Sequence, residues 1–287
     1  MPELPEVEVV RQSLDKKIKF QKINKVIVKN RNLRFKIPKD FQSYLKNKKI
    51  IKITRKSKYL IFQLNNNSFF IMHLGMSGTI HLILRKKYFE VSNTSFYGSL
   101  NLPLKHNHIF IFFNKFKLVY NDPRRFGFIK IFKNHVDIKK YFNNIGPEPL
   151  NSHFKISYIY NFLKNKEKNI KSFLLDQKFV SGIGNIYANE ILFYCKINPL
   201  KKAKKLNQLD IKKIKLFSKI VLNNAIKKGG SSIINFKNIK GDGGNYQKEF
   251  KVYHRENLNC PNKFCSGKIK KITISKRSTF FCNRCQK

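Results

Sequence analysis

The chain has 287 residues and a formal net charge of +44, from 60 Lys and Arg against 16 Asp and Glu. That length suggests two domains, or one with an appendage, and can bury sizeable cores, while the charge favours an anionic polymer as partner, nucleic acid before membrane. The charge-free stretch 65–84 is broken by three Asn, two His and two Gly and is a poor membrane span, and no basic segment followed by an apolar run opens the chain, so a cytoplasmic protein is the expectation.

The N-terminus reads Met1-Pro2-Glu3-Leu4-Pro5-Glu6-Val7-Glu8. A small second residue invites removal of Met1, which would leave Pro2 with a free secondary amine. Such an amine titrates near pH 8, roughly two units below lysine, and N-terminal amines serve as covalent catalysts or their bases. On its own Pro2 reads equally as a processed terminus at the start of a helix, where proline fits well. Glu3, Glu6 and Glu8 are three of the sixteen acids in the chain. They suit the positive end of a helix dipole, or carboxylates kept beside the amine, and both can hold at once. Lys, Asn, Ile and Phe are crowded throughout, as in AT-rich genomes, so many lysines are solvated surface rather than contacts.

Val7, Val10, Leu14 and Ile18 follow helical spacing. Short β-rich runs come next, at 22–29, 50–54, 59–64, 68–74, 79–84, 109–113, 116–120 and 126–132, and predict a sandwich or barrel-like β domain. Residues 85–104 read as a long irregular loop and 146–149 as part of a linker. Periodic segments near 155–164, 168–178, 185–196 and 208–228 predict helices, and 229–250, with two Gly-Gly pairs, a flexible loop.

Three turns are odd for mere connectors. Gly75-Met76-Ser77-Gly78 puts Met76 at a tip, to be covered by a partner or folded onto the core. Asp122-Pro123-Arg124-Arg125-Phe126-Gly127 sets two arginines beside a Phe, which suits a duplex interface with an apolar wedge. Ser181-Gly182-Ile183-Gly184-Asn185 opens a helix whose free N–H groups can hold a phosphate, or is a plain helix–helix connection.

At the C-terminus, Cys260 and Cys265 are separated by four residues, Cys282 and Cys285 by two, with sixteen between the pairs. Four thiolates in two knuckles suit one closed, structural Zn2+ site. The strand at 268–275, the turn Lys276-Arg277-Ser278 and the returning strand at 279–282 make a zinc ribbon with Arg277 at its hairpin tip. Cys195 reads as an ordinary buried thiol.

In order, Pro2 to Glu8, Lys58-Tyr59-Leu60, His73 to Gly78, Asp122 to Gly127, Gly146-Pro147-Glu148-Pro149-Leu150, Gly182 to Ala188 and the ribbon make the chain resemble bacterial formamidopyrimidine-DNA glycosylase, also called 8-oxoguanine DNA glycosylase. The resemblance covers essentially the whole chain. It implies an α+β multidomain fold: an N-terminal β-sandwich with an N-terminal helix (1–134), a linker (135–150), a helix-two-turn-helix domain with a lesion-capping loop (151–250) and a zinc ribbon (251–287). It implies a bifunctional glycosylase and abasic-site lyase on double-stranded DNA, acting as a monomer and associated with the nucleoid through its DNA. The catalytic residues would be Pro2 as nucleophile, Glu3 as acid/base, Lys58 on the phosphate and in proton transfer, and Arg277 on the phosphates flanking the lesion. Met76 and Phe126 would be wedges, Arg124 the reader of the orphaned cytosine, and His106, Lys171 and Asn185 backbone contacts. Tyr246 would lie near the tip of the capping loop. Four features depart from the family pattern: the four-residue first knuckle, Glu167 where a basic residue is usual, His254 in place of a glycine, and the length of 85–104. A non-catalytic damage binder is the competing reading; Pro2, Glu3 and Lys58 together argue against it.

Overall fold

The computed structural model describes residues 1–84, 90–92, 103–231 and 244–287, and the chain divides into two compact units, Met1–Asn143 with Lys228–Gln247 and Asn144–Lys227 with Lys248–Lys287. Most of the expected loop 85–104 and the centre of the capping loop lie outside the described residues.

The first unit begins with helix α1 (Leu4–Ile18). Glu3 is its N-cap in a capping box, and the Glu6 carboxylate accepts the Glu3 N–H at 2.9 Å. Val7, Val10, Leu14 and Ile18 lie along one stripe and enter the main core. Two antiparallel sheets carry that core. One has the order β1-β7-β8-β5-β6, built from β1 (Lys25–Val28), β5 (Thr79–Leu84), β6 (Glu90–Ser92), β7 (Asn107–Phe112) and β8 (Phe116–Asn121). The other has the order β2-β3-β4-β9, built from β2 (Ile50–Lys56), β3 (Tyr59–Leu64), β4 (Phe69–His73) and β9 (Phe128–Phe132). Leu60, Phe62, Phe70 and Met72 face Ile80, Ile109, Ile111 and Leu118 across a shared interior. The alternate residues Tyr59, Ile61, Phe69 and Ile71 form a second apolar layer on the outer face, covered by Ile138 and Tyr141.

Those two covering residues belong to α3 (His135–Tyr141), in the stretch 135–150 expected as a linker. Asn134 caps it by accepting the Asp137 N–H at 2.9 Å. Helix α2 (Phe41–Leu45), strand β6 and α3 are too short for a periodicity argument, and none stands out in the sequence.

The second unit holds α4 (Ile156–Leu163), α5 (Ile170–Leu175), α6 (Asn185–Cys195), α7 (Gln208–Lys227) and the hairpin of β10 (Ile269–Ile274) and β11 (Arg277–Cys282). The ribbon expected as a separate domain is fixed to the helices inside this unit. The Glu190 carboxylate, fully buried on α6, accepts the N–H groups of Lys251, Val252 and Tyr253 at 2.8–3.0 Å. Gln286 donates to Ile197 O at 2.9 Å.

One buried group makes the stability of the first unit depend on pH. His81 on β5 has no exposure, its Nε2 lies 2.7 Å from Thr79 Oγ1, and burial pushes its pKa down to about 4. The unfolded chain regains the ordinary value near 6.5 and takes up a proton that the folded chain refuses. The contribution of a neutral His81 is therefore full above pH 6.5 and lost as pH falls towards 4. Urea-unfolding midpoints should fall across that window, and His81→Gln should flatten the fall.

Candidate active site and nucleic-acid interface

The expected site residues are shared between the two units. In the first, Glu3 is 3% exposed and Pro2 is half-buried at the start of α1. Lys58 is buried in the two-residue turn between β2 and β3, next to Ser57 at a positive φ of 56°. A chain of contacts ties that turn to the helix: Arg55 donates to Glu8 Oε2 at 2.9 Å and to the Ser57 carbonyl at 2.7 Å. Burial alone would raise the Glu8 carboxyl, but Arg11 and Arg55 outweigh it and hold the pKa below its ordinary value. The three N-terminal acids thus divide their work. Glu8 steadies the turn that carries Lys58, and Glu6 accepts the Ser231 N–H and hydroxyl, each at 2.9 Å.

Ser231 sits at the neck of the expected capping loop, where Tyr246 N–H donates to Gly230 O at 3.1 Å. Tyr246 is therefore buried at the base of the loop, not near its tip. The neck demands glycine: a Cβ on Gly244 would lie 2.3 Å from Gly230 O.

The residues expected as wedges meet for a topological reason. Residues 74–78 leave β4 for β5, and 122–127 leave β8 for β9, so each turn crosses from one sheet to the other. Because β4 pairs with β9 (His73↔Phe128) and β5 with β8 (Thr79↔Asn121), the two crossings run side by side. They touch so closely that a Cβ on Gly75 would lie 2.4 Å from the Phe126 backbone. Met76 is 48% exposed and Phe126 43%, and the Arg124 guanidinium lies 4.8 Å from the centre of the Phe126 ring. Met76 does not fold back onto the core.

A carboxylate the sequence reading passed over holds both turns. Asp122, with no exposure, accepts Ser77 Oγ–H at 2.5 Å through Oδ1, and Gly127 N–H at 2.8 Å and Tyr120 O–H at 3.1 Å through Oδ2. Its carbonyl lies 2.7 Å from His108 Nε2, and its N–H donates to His106 O at 3.0 Å, which places the expected backbone contact His106 beside the arginine turn. Burial, then the neighbouring Lys105 cation, lowers the His106 pKa. His73, whose Nδ1 lies 3.1 Å from Gly75 N, is pushed down to about 4 by burial and by the cations of Lys58 and Arg34. The signal for Asp122 was present: an acid inside an otherwise basic motif, with a serine in the companion turn.

In the second unit Asn185 opens α6 and donates from Nδ2 to Ser278 O at 3.0 Å. Lys171 departs from the expected surface contact. It is wholly buried and donates to Thr279 Oγ1 at 2.6 Å and Ser278 O at 3.1 Å. Asn189 Oδ1 accepts Phe280 N–H at 2.8 Å, and the hydroxyls of Ser172 and Ser275 lie 2.9 Å apart. Four side chains of α5 and α6 thus clamp the hairpin that presents the exposed Arg277. The turn is Ser275-Lys276, at φ 50° and 58°, one residue earlier than expected, so Arg277 begins β11. Non-glycine residues in that region cost about 1 kcal/mol each, and the clamp offsets the strain. Glu167, at the expected basic position, pairs with Lys202 at 3.1 Å and Lys204 at 2.5 Å.

The thiol sulfurs of Cys260, Cys265, Cys282 and Cys285 all lie within 4.8 Å of one another, with Cys260–Cys285 and Cys265–Cys282 at 3.7 Å. A regular tetrahedron with metal–sulfur bonds near 2.3 Å has edges of about 3.8 Å, so the cluster fits zinc. The four-residue knuckle does not open it: Cys265 N–H donates to Asn262 O at 2.9 Å, and the extra length leaves Phe264 99% exposed. Asn262 Nδ2 and Gly267 N–H each reach a cysteine sulfur at 3.4 Å, as neighbours of a thiolate site do.

Comparison with known proteins gives the same reading. Family models for the formamidopyrimidine-DNA glycosylase N-terminal domain, its H2TH domain and the zinc finger found in FPG and IleRS match residues 1–129, 145–237 and 260–287. The chain belongs to the formamidopyrimidine-DNA glycosylase family. It is similar to the formamidopyrimidine-DNA glycosylase of Wolbachia pipientis subsp. Culex pipiens (strain wPip), 39% identical with 100% of both chains covered. Among solved structures it is similar to a Lactococcus lactis FPG mutant in complex with a Fapy-dG containing DNA (TM-score 0.88, 33% identity, 100% of both chains). It is also similar to Lactococcus lactis Fpg with an abasic site containing DNA (TM-score 0.86, 33% identity, 99% of both chains). Membership makes the chain a DNA-binding DNA glycosylase of base excision repair with a zinc finger. Among the described residues no helix is long and apolar enough to cross a membrane.

Two outcomes follow from this geometry. Asp122→Ala leaves buried donors without an acceptor and should cost about 3 kcal/mol in urea unfolding. Chelation of the metal should release the ribbon, seen as loss of protection of the 269–282 amides in hydrogen exchange, while the β-sandwich amides stay protected.

Proposed function

We propose that the chain is a bifunctional glycosylase and abasic-site lyase that removes oxidised purines, 8-oxoguanine and formamidopyrimidines, from duplex DNA. The observation that carries this reading is the N-terminus of α1: Pro2 at the chain end beside a Glu3 held as the buried N-cap. Once Met1 is removed, the Pro2 amine is a secondary amine with a carboxyl on the next residue. The glycosidic carbon is shielded inside a stacked duplex, so the damaged nucleotide must first leave the stack. Met76 and Phe126 fill the space it vacates and Arg124 donates to the orphaned cytosine, whose acceptors suit a guanidinium.

The Pro2 nitrogen then attacks C1′, and the bond from C1′ to the base breaks as the bond to nitrogen forms. Glu3 protonates the sugar ring oxygen as the ring opens, which leaves an iminium at C1′. The iminium acidifies C2′. Loss of a C2′ proton expels the 3′ phosphate, and a second elimination expels the 5′ phosphate, giving a one-nucleotide gap with phosphate ends. Lys58, in the turn braced by Arg55 and Glu8, holds a phosphate and assists these proton transfers. Arg277 and Asn185 bind the phosphates around the lesion, with His106 as a further backbone contact. Lys171 acts from beneath the surface, fixing the hairpin and adding its charge below the phosphate. The four thiolates hold one structural zinc ion, which supplies no reaction chemistry and keeps the hairpin closed. The protein acts on DNA as a monomer in the cytoplasm.

Borohydride reduction in the presence of a duplex with 8-oxoguanine opposite cytosine should trap a covalent adduct with Met1-processed protein. Absence of the adduct would sink the covalent mechanism and favour a damage binder. Protein that retains Met1 should bind the duplex almost unchanged and trap nothing, because the Pro2 nitrogen is then an amide.

A further inference from the structure

The loop between β1 and α2 lies against the arginine turn and has no part in the chemistry above. It is a built loop. Arg31 donates to Pro38 O at 2.6 Å, Lys39 O at 3.2 Å and Gln42 Oε1 at 2.8 Å, so its cation is enclosed by the loop's own acceptors. Leu33 enters the main core, and Phe35 packs edge-on against Phe128 at 4.9 Å between ring centres. Between these anchors Arg34 N–H donates to Gly127 O at 3.2 Å, which fixes the loop tip to the turn that carries Arg124 and Phe126.

The result is an open cleft of about 550 Å³ lined by Asn32, Leu33, Arg34, Arg124, Arg125 and Phe126. Three arginines line it and no acidic residue does. The chain carries no acid from 16 to 39 or from 123 to 136, so neither segment supplies one. Like charges gathered in one cleft repel unless an anion lies between them, and a guanidinium offers paired donors that match the oxygens of a phosphodiester. Arg125 stands at a positive φ of 55°, a conformation that a non-glycine residue adopts at a cost.

We propose that this cleft binds a backbone phosphate of the strand opposite the lesion, with Arg34 as its principal ligand. The choice of strand rests on the glycosylase reading, which assigns Arg124, on the same cleft, to the orphaned base. Arg34 adds affinity and register without reading sequence, whereas Arg124 reads the base.

The test uses full-length, Met1-processed protein and three duplexes: undamaged, and carrying a tetrahydrofuran abasic analogue opposite cytosine or opposite adenine. Binding is measured against salt concentration. Loss of one phosphate contact should lower the slope of log K against log salt by about 0.9. Arg34→Ala and Arg34→Gln should both show that loss, with affinity reduced by the same factor opposite either base, and Arg34→Lys should restore most of the slope. Lys115→Ala, at the far end of the β7–β8 hairpin, should change nothing and so controls for generic loss of charge. An unchanged slope in Arg34→Ala and Arg34→Gln overturns the proposal, as does an equal loss in Lys115→Ala. A loss that follows the opposing base also overturns it, because Arg34 would then read a base. Failure of wild-type protein to form the borohydride adduct would remove the covalent mechanism and with it the choice of strand, but not the phosphate contact of Arg34, which the slopes on undamaged duplex decide.

Discussion

A single buried carboxyl group, that of Asp122, organises the two crossing turns of the first unit. Asp122 accepts from Ser77 in one crossing turn and from Gly127 in the other, while its own backbone meets His108 on β7 and His106 in the 3-10 turn just before it. A buried carboxyl group is tolerated there because donors surround it, and those donors come from segments far apart in the chain. Met76, Arg124 and Phe126 can stay exposed at the tips of their turns because the bases of those turns are fixed. Tyr120 shows the same economy: its hydroxyl donates to Asp122, and burial together with that carboxylate raises its pKa well above the ordinary value, so it remains a donor at all working pH. The glycines complete the arrangement, since a side chain on Gly75 or Gly127 would collide with the opposite turn or with Tyr120.

The second unit solves a similar problem differently. Its exposed arginine sits at the end of a strained two-residue turn, and the strain is met from both sides. Thiolates close one end of the hairpin, and Lys171, Ser172, Asn185 and Asn189 clamp the other. Lys171, expected as a DNA-backbone contact, is wholly buried. Its ammonium is committed to a carbonyl and a hydroxyl of the hairpin, which fixes the positions of Ser278 and Thr279.

The charge of the chain has less structure than its size implies. Many of the described lysines lie on the surface, and even the exposed acid at 167 pairs with Lys202 and Lys204. What distinguishes Arg34, Arg124 and Arg277 from that background is the rigidity of the backbone beneath each. Guanidiniums on braced turns lose less conformational freedom on binding than lysines on an open surface.

By itself the sequence determined the long periodic elements, most strands of the sandwich, the four clustered cysteines and the order of the motifs. These depend on local spacing: 3.6-residue stripes, alternation along strands, and cysteines a few residues apart. It did not reveal α2, β6 or α3, each too short to show a period, nor the placement of Tyr246 at a loop base, nor the turn at Ser275-Lys276. Only the tertiary structure decided that the turns at 74–78 and 122–127 lie together, because that follows from β4 pairing with β9 and β5 with β8, pairings between residues about fifty apart. The same holds for Asp122, Glu6, Glu190 and Lys171. Each has a role set by donors or acceptors distant in sequence, and a burial that no local pattern encodes.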